Sequence, residues 1–208
     1  MTTVINRHQS RRARKKAATR AQIVAAAIQL FSQKGIEAVT VDEIAAAADV
    51  GKGTIYNYFQ TKEDIIVAFM VDLERTVQAR VVAVQSRQRS VAGALVHFIL
   101  AQFQMKERYH AFVRVFLGHM FLRTEQFLPY MAEMQTVIDP PLEALFEGLK
   151  QRGLIRSDVN LRELIMVFKT IQLGLTALWA VEGSPFQQTA RIVKQEITLF
   201  CEGLEAKK

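Results

Sequence analysis

Only one cysteine, four prolines and ten glycines occur in this 208-residue sequence. A lone cysteine excludes an internal disulfide framework and fits a reducing cytoplasm. Cys201 lies in an apolar stripe, where a buried packing thiol is expected. Scarce glycine and proline leave little material for tight hairpins and favour helices. The longest charge-free stretch, Ser90–Met105, is interrupted by His97, Gln102 and Gln104. It also falls short of the roughly 18–20 residues that a membrane span needs. No apolar block follows the basic N-terminus as a secretory signal requires. The four histidines are scattered, with no Cys/His metal spacing, glycine-rich phosphate loop or serine elbow. Glu107-Arg-Tyr-His110 has the spacing of half a di-iron site, but no second Glu-x-x-His occurs. The expectation is a soluble protein that is not an enzyme, with no metal, cofactor or membrane partner. A helical enzyme or metal-binding bundle with a basic tail is the competing class.

What the sequence does have is charge in one place. Arg7, Arg11, Arg12, Arg14, Lys15, Lys16 and Arg20 stand in the first twenty residues without an acid. These seven account for the whole excess of 27 basic over 20 acidic residues. Such a block can neutralise nucleic-acid phosphates or anionic lipid, or be a solvated tail.

Apolar spacing then sets the elements. Ile23, Ala27, Leu30 and Phe31 share one face of a helix over Ala17–Lys34, closed by Gly35. Thr40-Val-Asp-Glu43 is a capping box opening a short helix with Val41, Ile44, Ala45 and Ala48 inside. Asp49-Val50-Gly51 breaks it, and a second short helix spans about Lys52–Tyr58. Thr61 caps a long helix, with Glu63 and Asp64 in its first turn and Ile66, Phe69, Leu73, Val77 and Val81 along one face. Beyond Gln88 the pattern predicts helices over Val91–Lys106, Arg108–Phe121, Phe127–Arg152 (kinked at Pro140-Pro141), Asn160–Val181 and Phe186–Glu205. The fold class is all-α.

Three short helices, the last two joined by a tight turn, make a helix-turn-helix. On the third, Ile55 and Phe59 must point inward. The opposite face centres on Gly53 and Asn57, flanked by Thr54 and Tyr56. It is small, polar and aromatic, a surface suited to a major groove. Asn57 can pair with an adenine edge, and hydroxyls can reach phosphates.

The run from Thr40 to Glu63, TVDEIAAAADVGKGTIYNYFQTKE, resembles the DNA-binding signature of the tetracycline-repressor (TetR-like) family, as does the preceding helix with Phe31 and Gly35. The resemblance covers about residues 19–66. It implies a helix-turn-helix domain at 17–61 and an effector-binding and dimerisation domain at 62–208; the basic block at 1–16, read from its charge as a flexible arm, is an extension whose role the resemblance does not fix. It implies DNA contacts at Thr40, Lys52, Gly53, Thr54, Tyr56, Asn57, Tyr58 and Lys62. Two positions depart from the family pattern: Gly51 stands where serine is frequent, and Tyr58 where histidine is frequent.

The seam Leu164, Phe168, Ile171, Leu175 and Leu178, with Val193, Ile197, Phe200 and Leu204, suits packing between nearly aligned helices. Periodicity alone leaves open whether that packing is internal. The resemblance implies that it joins two copies, which would read a roughly palindromic double-stranded operator. The aromatic and methionine-rich middle is either plain core or, as the resemblance implies, the wall of a cavity for a small apolar or aromatic effector. His97, Phe98, Gln102, Phe112, Phe116, His119, Met120, Met134, Phe168 and Gln172 are its expected lining, with Arg114 a further polar candidate. The expected function is that of a DNA-binding transcriptional regulator, a repressor released from its operator by the effector.

Overall fold

Residues 2–34 contain no glycine or proline and are rich in alanine, glutamine, arginine and lysine, all good helix formers. In the computed structural model, which describes residues 2–84, 89–122, 124–183 and 185–202, they form a single helix, α1 (Thr2–Lys34). The basic run expected as a flexible arm is therefore helical, with Arg11, Arg12, Arg14, Lys15 and Lys16 exposed on α1. Gly35 ends the helix in the left-handed region at φ +83°, its N–H donating to the Phe31 carbonyl at 2.9 Å.

The next three helices start and stop on local signals. Thr40 caps α2 (Val41–Ala47): its hydroxyl accepts the Glu43 N–H at 3.2 Å, and the Glu43 carboxylate accepts the Thr40 N–H at 2.9 Å. At the other end Asp49 takes φ +50°, so that the Val50 N–H reaches the Ala45 carbonyl at 3.0 Å and the Asp49 N–H reaches Ala46 at 3.3 Å. This is the paired bonding of a Schellman stop, here built on aspartate rather than glycine. Gly51 then begins α3 (Lys52–Tyr56) without any side-chain cap. Ahead of α4 (Lys62–Val84), the Thr61 hydroxyl accepts the Asp64 N–H at 3.2 Å and the Asp64 carboxylate accepts the Thr61 N–H at 2.9 Å.

The chain divides into two compact units, the first ending at Phe69 and the second beginning at Met70. The division falls inside α4, not ahead of it at residue 62 as the sequence led one to expect. Helix α2 packs on both α1 and α3 in the first unit. Its core includes Ile23, Ala27, Phe31, Val39, Ile44, Ala48, Ile55 and Phe59, all buried.

The second unit adds α5 (Val91–Lys106), a 3₁₀ turn (Glu107–Tyr109), α6 (His110–Leu122), α7 (Thr124–Gln151), α8 (Leu161–Glu182) and α9 (Gln187–Glu202). Helix α8 packs on α5, α6, α7 and α9, and α5 also packs on α9. At the centre Phe168 meets Phe98, Phe146 and Phe200, with ring centroids 5.4–6.4 Å apart. Burying side chains of this size contributes roughly 2–3 kcal/mol each. Cys201 is buried in the α9 stripe with Thr189, Val193 and Ile197, as expected for a packing thiol. By length and composition α8 is the one helix among the described residues apolar enough to cross a membrane. A search for charge-free runs misses it because Lys169 interrupts it. That lysine bonds the Asp139 carboxylate at 2.5 Å within the bundle.

Candidate DNA-reading surface and ligand cavity

The reading surface is built from the inside out. Ile55 and Phe59, 1% and 3% exposed, anchor α3 and the turn after it, so the opposite side of the helix faces solvent. That side presents Gly53, Tyr56 and Asn57, all exposed, with Thr54 half-buried beside them. A Cβ at Gly53 would meet nothing within 4 Å. The fold itself therefore does not require glycine there, and close approach of another molecule gives it a reason. Tyr58 is half-buried, its ring 6.3 Å from that of Phe59. Arg20 of α1 covers the Phe59 ring at 5.7 Å.

The charged residues around this face are mostly engaged locally. Lys52 pairs with Asp42 at 2.8 Å, with both side chains well exposed. The pair raises the Lys52 pKa, first through the hydrogen bond that the ammonium donates to Asp42 and then through the charge of that carboxylate. The Lys34 ammonium and the Thr40 bonds hold the Glu43 carboxyl down at about 2. A depressed acid stabilises the fold above its ordinary value near 4.5 and loses that contribution as pH falls towards 2. The capping box of α2 is thus fully charged at neutral pH.

Lys62 differs from its expected role. Its ammonium donates to the carbonyls of Ile36, Val39 and Glu37 at 2.8, 2.9 and 3.4 Å, matching three N–H donors to three acceptors. The residue staples the α1–α2 loop to the start of α4. Lys62→Met is expected to lower the stability of the first unit by about 2 kcal/mol, since three carbonyls are deprived of a charged donor. Denaturant unfolding measures this. The slope of DNA affinity against salt is expected to stay the same, whereas a phosphate contact would make it shallower by about 0.9.

In the second unit a cavity of about 380 Å³ opens among α4, α5, α6, α7 and α8. That volume is in the range of small-molecule sites. Four of the ten expected lining residues are there: Phe116, Met120, Met134 and Gln172. The others lie elsewhere. Phe98 and Phe168 fill the core, Phe112 stacks on Tyr109 with centroids 6.0 Å apart, and His119 is buried. His97 is half-buried off the wall and Arg114 is exposed. Gln102 sits just behind the wall, its carbonyl oxygen accepting from Lys106 at 3.3 Å and from Gln172 at 3.2 Å. His110, of the Glu107-x-x-His110 spacing, places its Nε2 3.0 Å from the Trp179 carbonyl and packs its ring on Trp179 and Phe186.

Sequence reasoning missed the polar end of this cavity. Glu74 of α4 and Lys106 of α5 form an ion pair whose side chains are only 6% and 11% exposed. Gln78 donates to the second Glu74 oxygen at 2.6 Å. The expected inner face of α4 put Phe69 and Leu73 inside, yet both are half-buried while Met70, Val71, Glu74 and Gln78 are buried. Met70, Glu74 and Val77 share the same helical spacing, so the pattern carried a signal for this phase, masked by the charge at its centre.

The expected dimer seam also needs correcting. Leu164, Phe168, Leu175, Val193 and Ile197 are buried within their own chain. Ile171 and Phe200 are half-buried, and Leu204 lies outside the described residues. Leu178 alone of the set is exposed. The apolar side chains left at the surface of α8 are Met166, Val167, Leu173, Leu178 and Val181, with Leu199 on α9. Four-three spacing marks the buried face of a helix and does not say which chain buries it.

Residues 23–69 match the family of bacterial regulatory proteins known as the tetR family, and this segment ends where the first compact unit ends. Over most of its length the chain resembles the HTH-type transcriptional repressor KstR2 of Rhodococcus jostii, 25% identical across 91% of this chain and 92% of the relative. A shorter stretch is more alike: AcrR of Shigella flexneri, an HTH-type transcriptional regulator, is 45% identical over 47 residues, 23% of this chain and 22% of that one. Among solved structures, FadR of Thermus thermophilus, a TetR-family transcriptional repressor bound to lauroyl-CoA, shares the fold with a TM-score of 0.72. It is 20% identical across 91% of this chain and 96% of that one. Residues 23–69 thus carry the DNA-binding domain of the tetR family, and the chain is a DNA-binding transcription regulator.

Proposed function

We propose that two copies of this chain read a roughly palindromic operator in the cytoplasm as a repressor, and leave it when a small, largely apolar molecule fills the cavity of the second unit. The observation that carries the DNA reading is the outward side of α3, where Gly53, Tyr56 and Asn57 are exposed over a helix pinned by buried Ile55 and Phe59. Asn57 offers an amide to an adenine edge, while Thr54 and Tyr56 offer hydroxyls to phosphates. Thr40 uses its hydroxyl to cap α2 and is itself exposed. The exposed bases of α1 supply sequence-independent phosphate neutralisation. Effector control is a population shift: the ligand must bind one conformer better than the other.

Selection of bound duplexes from a random pool at near-physiological salt tests the reading. Enrichment of one palindromic motif supports it, and salt-sensitive binding without enrichment overturns it. Pairing of two copies rests on the apolar side of α8. Contiguous exposed apolar surface of this kind marks an interaction site, and Leu178 and Val181 are 49% and 82% exposed there. Leu178→Glu with Val181→Glu is expected to give a monomer by light scattering without loss of helix content, because neither side chain supports the core.

A further inference from the structure

From the charges on its wall, we infer that the cavity of the second unit takes an uncharged amphiphile, an apolar body ending in one hydrogen-bonding oxygen, which Lys106 and Gln172 receive. This rests on the reading of that cavity as the effector site. Its apolar wall carries Phe116, Phe127 and the methionines Met70, Met120, Met131 and Met134. Unbranched thioether side chains adapt to the shape of a flexible or flat apolar body.

Charge decides the head group. Three charged groups line the cavity, Glu74, Lys106 and Lys169, and each has a partner, that of Lys169 lying outside the lining. Lys106 is paired with Glu74, and Lys169 with Asp139 at 2.5 Å. The wall therefore offers no unmatched charge among its described residues. An ionised ligand head would be buried without a counterion, at a cost of several kcal/mol. A neutral oxygen has partners instead. The Lys106 ammonium bonds Glu74 and Gln102, which leaves one of its three N–H groups for a ligand. The Gln172 amide gives one N–H to Gln102 and has a second. Behind them the Gln102 amide nitrogen, in a side chain 1% exposed, has no hydrogen-bond partner among the described residues. Its orientation is fixed, since turning the amide over would set that nitrogen against the Lys106 ammonium. The group around Lys106 and Gln172 is thus donor-rich, neutral overall and ready for an acceptor. Apolar side chains also sit at the α6–α7 corner, where Phe121, Leu122 and Leu128 are exposed next to cavity-lining Phe127 and Met131. That surface suits entry of an apolar body.

The test uses three probes with the same ten-carbon chain: decanol, decanoate and decyltrimethylammonium, each titrated calorimetrically into the full chain below its aggregation limit. Decanol is expected to bind at least tenfold tighter than either ion. The double variant Glu74→Leu/Lys106→Met removes the head-group donor without stranding a charge. It is expected to lose about tenfold in decanol affinity while its helix content holds. Equal or tighter binding of either ion overturns the proposal, as does unchanged decanol affinity in the double variant. If no probe binds, the effector assignment of the cavity fails. Enrichment of a palindromic operator by the same preparation would show that the DNA reading survives that failure.

Discussion

Glu74→Leu is expected to destabilise the second unit by about 3 kcal/mol. The leucine removes the carboxylate that faces the Lys106 ammonium and leaves that ammonium in a largely apolar setting. Breaking one side of a buried ion pair costs about 3–5 kcal/mol. The lower figure applies because Lys106 also lines the cavity, where water can reach it. Converting both partners, Glu74→Leu with Lys106→Met, is expected to recover most of that stability, because a matched apolar pair strands no charge. Chemical denaturation of the single and double variants reads this directly. A double variant as unstable as Glu74→Leu alone would mean that packing at residue 74, and not charge matching, sets the cost. The pair is better understood as a polar device in the cavity wall than as a source of stability.

Gly53→Leu is expected to do the reverse: leave the fold intact and abolish operator binding. Its Cβ enters open space, and leucine is a better helix former than glycine by roughly 0.5–1 kcal/mol. The unfolding midpoint should therefore stay level or rise slightly. Specific DNA affinity should fall about a hundredfold or more, equal to about 2.7 kcal/mol. A side chain at the centre of the outward face holds α3 away from the groove, and a hydrogen-bonded pairing with one base edge is worth about 1–3 kcal/mol. Fluorescence anisotropy on the selected operator, beside a melting curve, separates the two effects. Retained affinity would remove α3 from the role of reading helix. Tyr56→Ala should weaken binding by a smaller factor, near tenfold, because it deletes one phosphate-directed hydroxyl without blocking the approach of the rest of the face.

The first unit was legible in the sequence because its determinants are local. The capping boxes at Thr40–Glu43 and Thr61–Asp64, the glycine stop at residue 35 and the break at Asp49 each act within a few residues. Inward Ile55 and Phe59 then fix the side that Gly53 and Asn57 must present. Even there, the sequence did not foresee where the Lys62 ammonium goes, since its three acceptors lie 23–26 residues upstream. The helices of the second unit were also read closely from period and breaks, down to both ends of α5.

Partnership between distant residues was decided only by the tertiary structure. Glu74 and Lys106 are 32 residues apart, and Gln102 and Gln172 are 70 apart. Nothing local tells α4 to turn a carboxylate inward until α5 supplies its counterion. The seam of α8 and α9 shows the same limit, since Phe168 proved to be the centre of its own core and, of the exposed apolar side, only Leu178 was singled out. Periodicity records that a helix has a buried face, because burial removes apolar area from water whatever covers it. Which surface does the covering depends on contacts between residues far apart in sequence, and only the assembled bundle contains them.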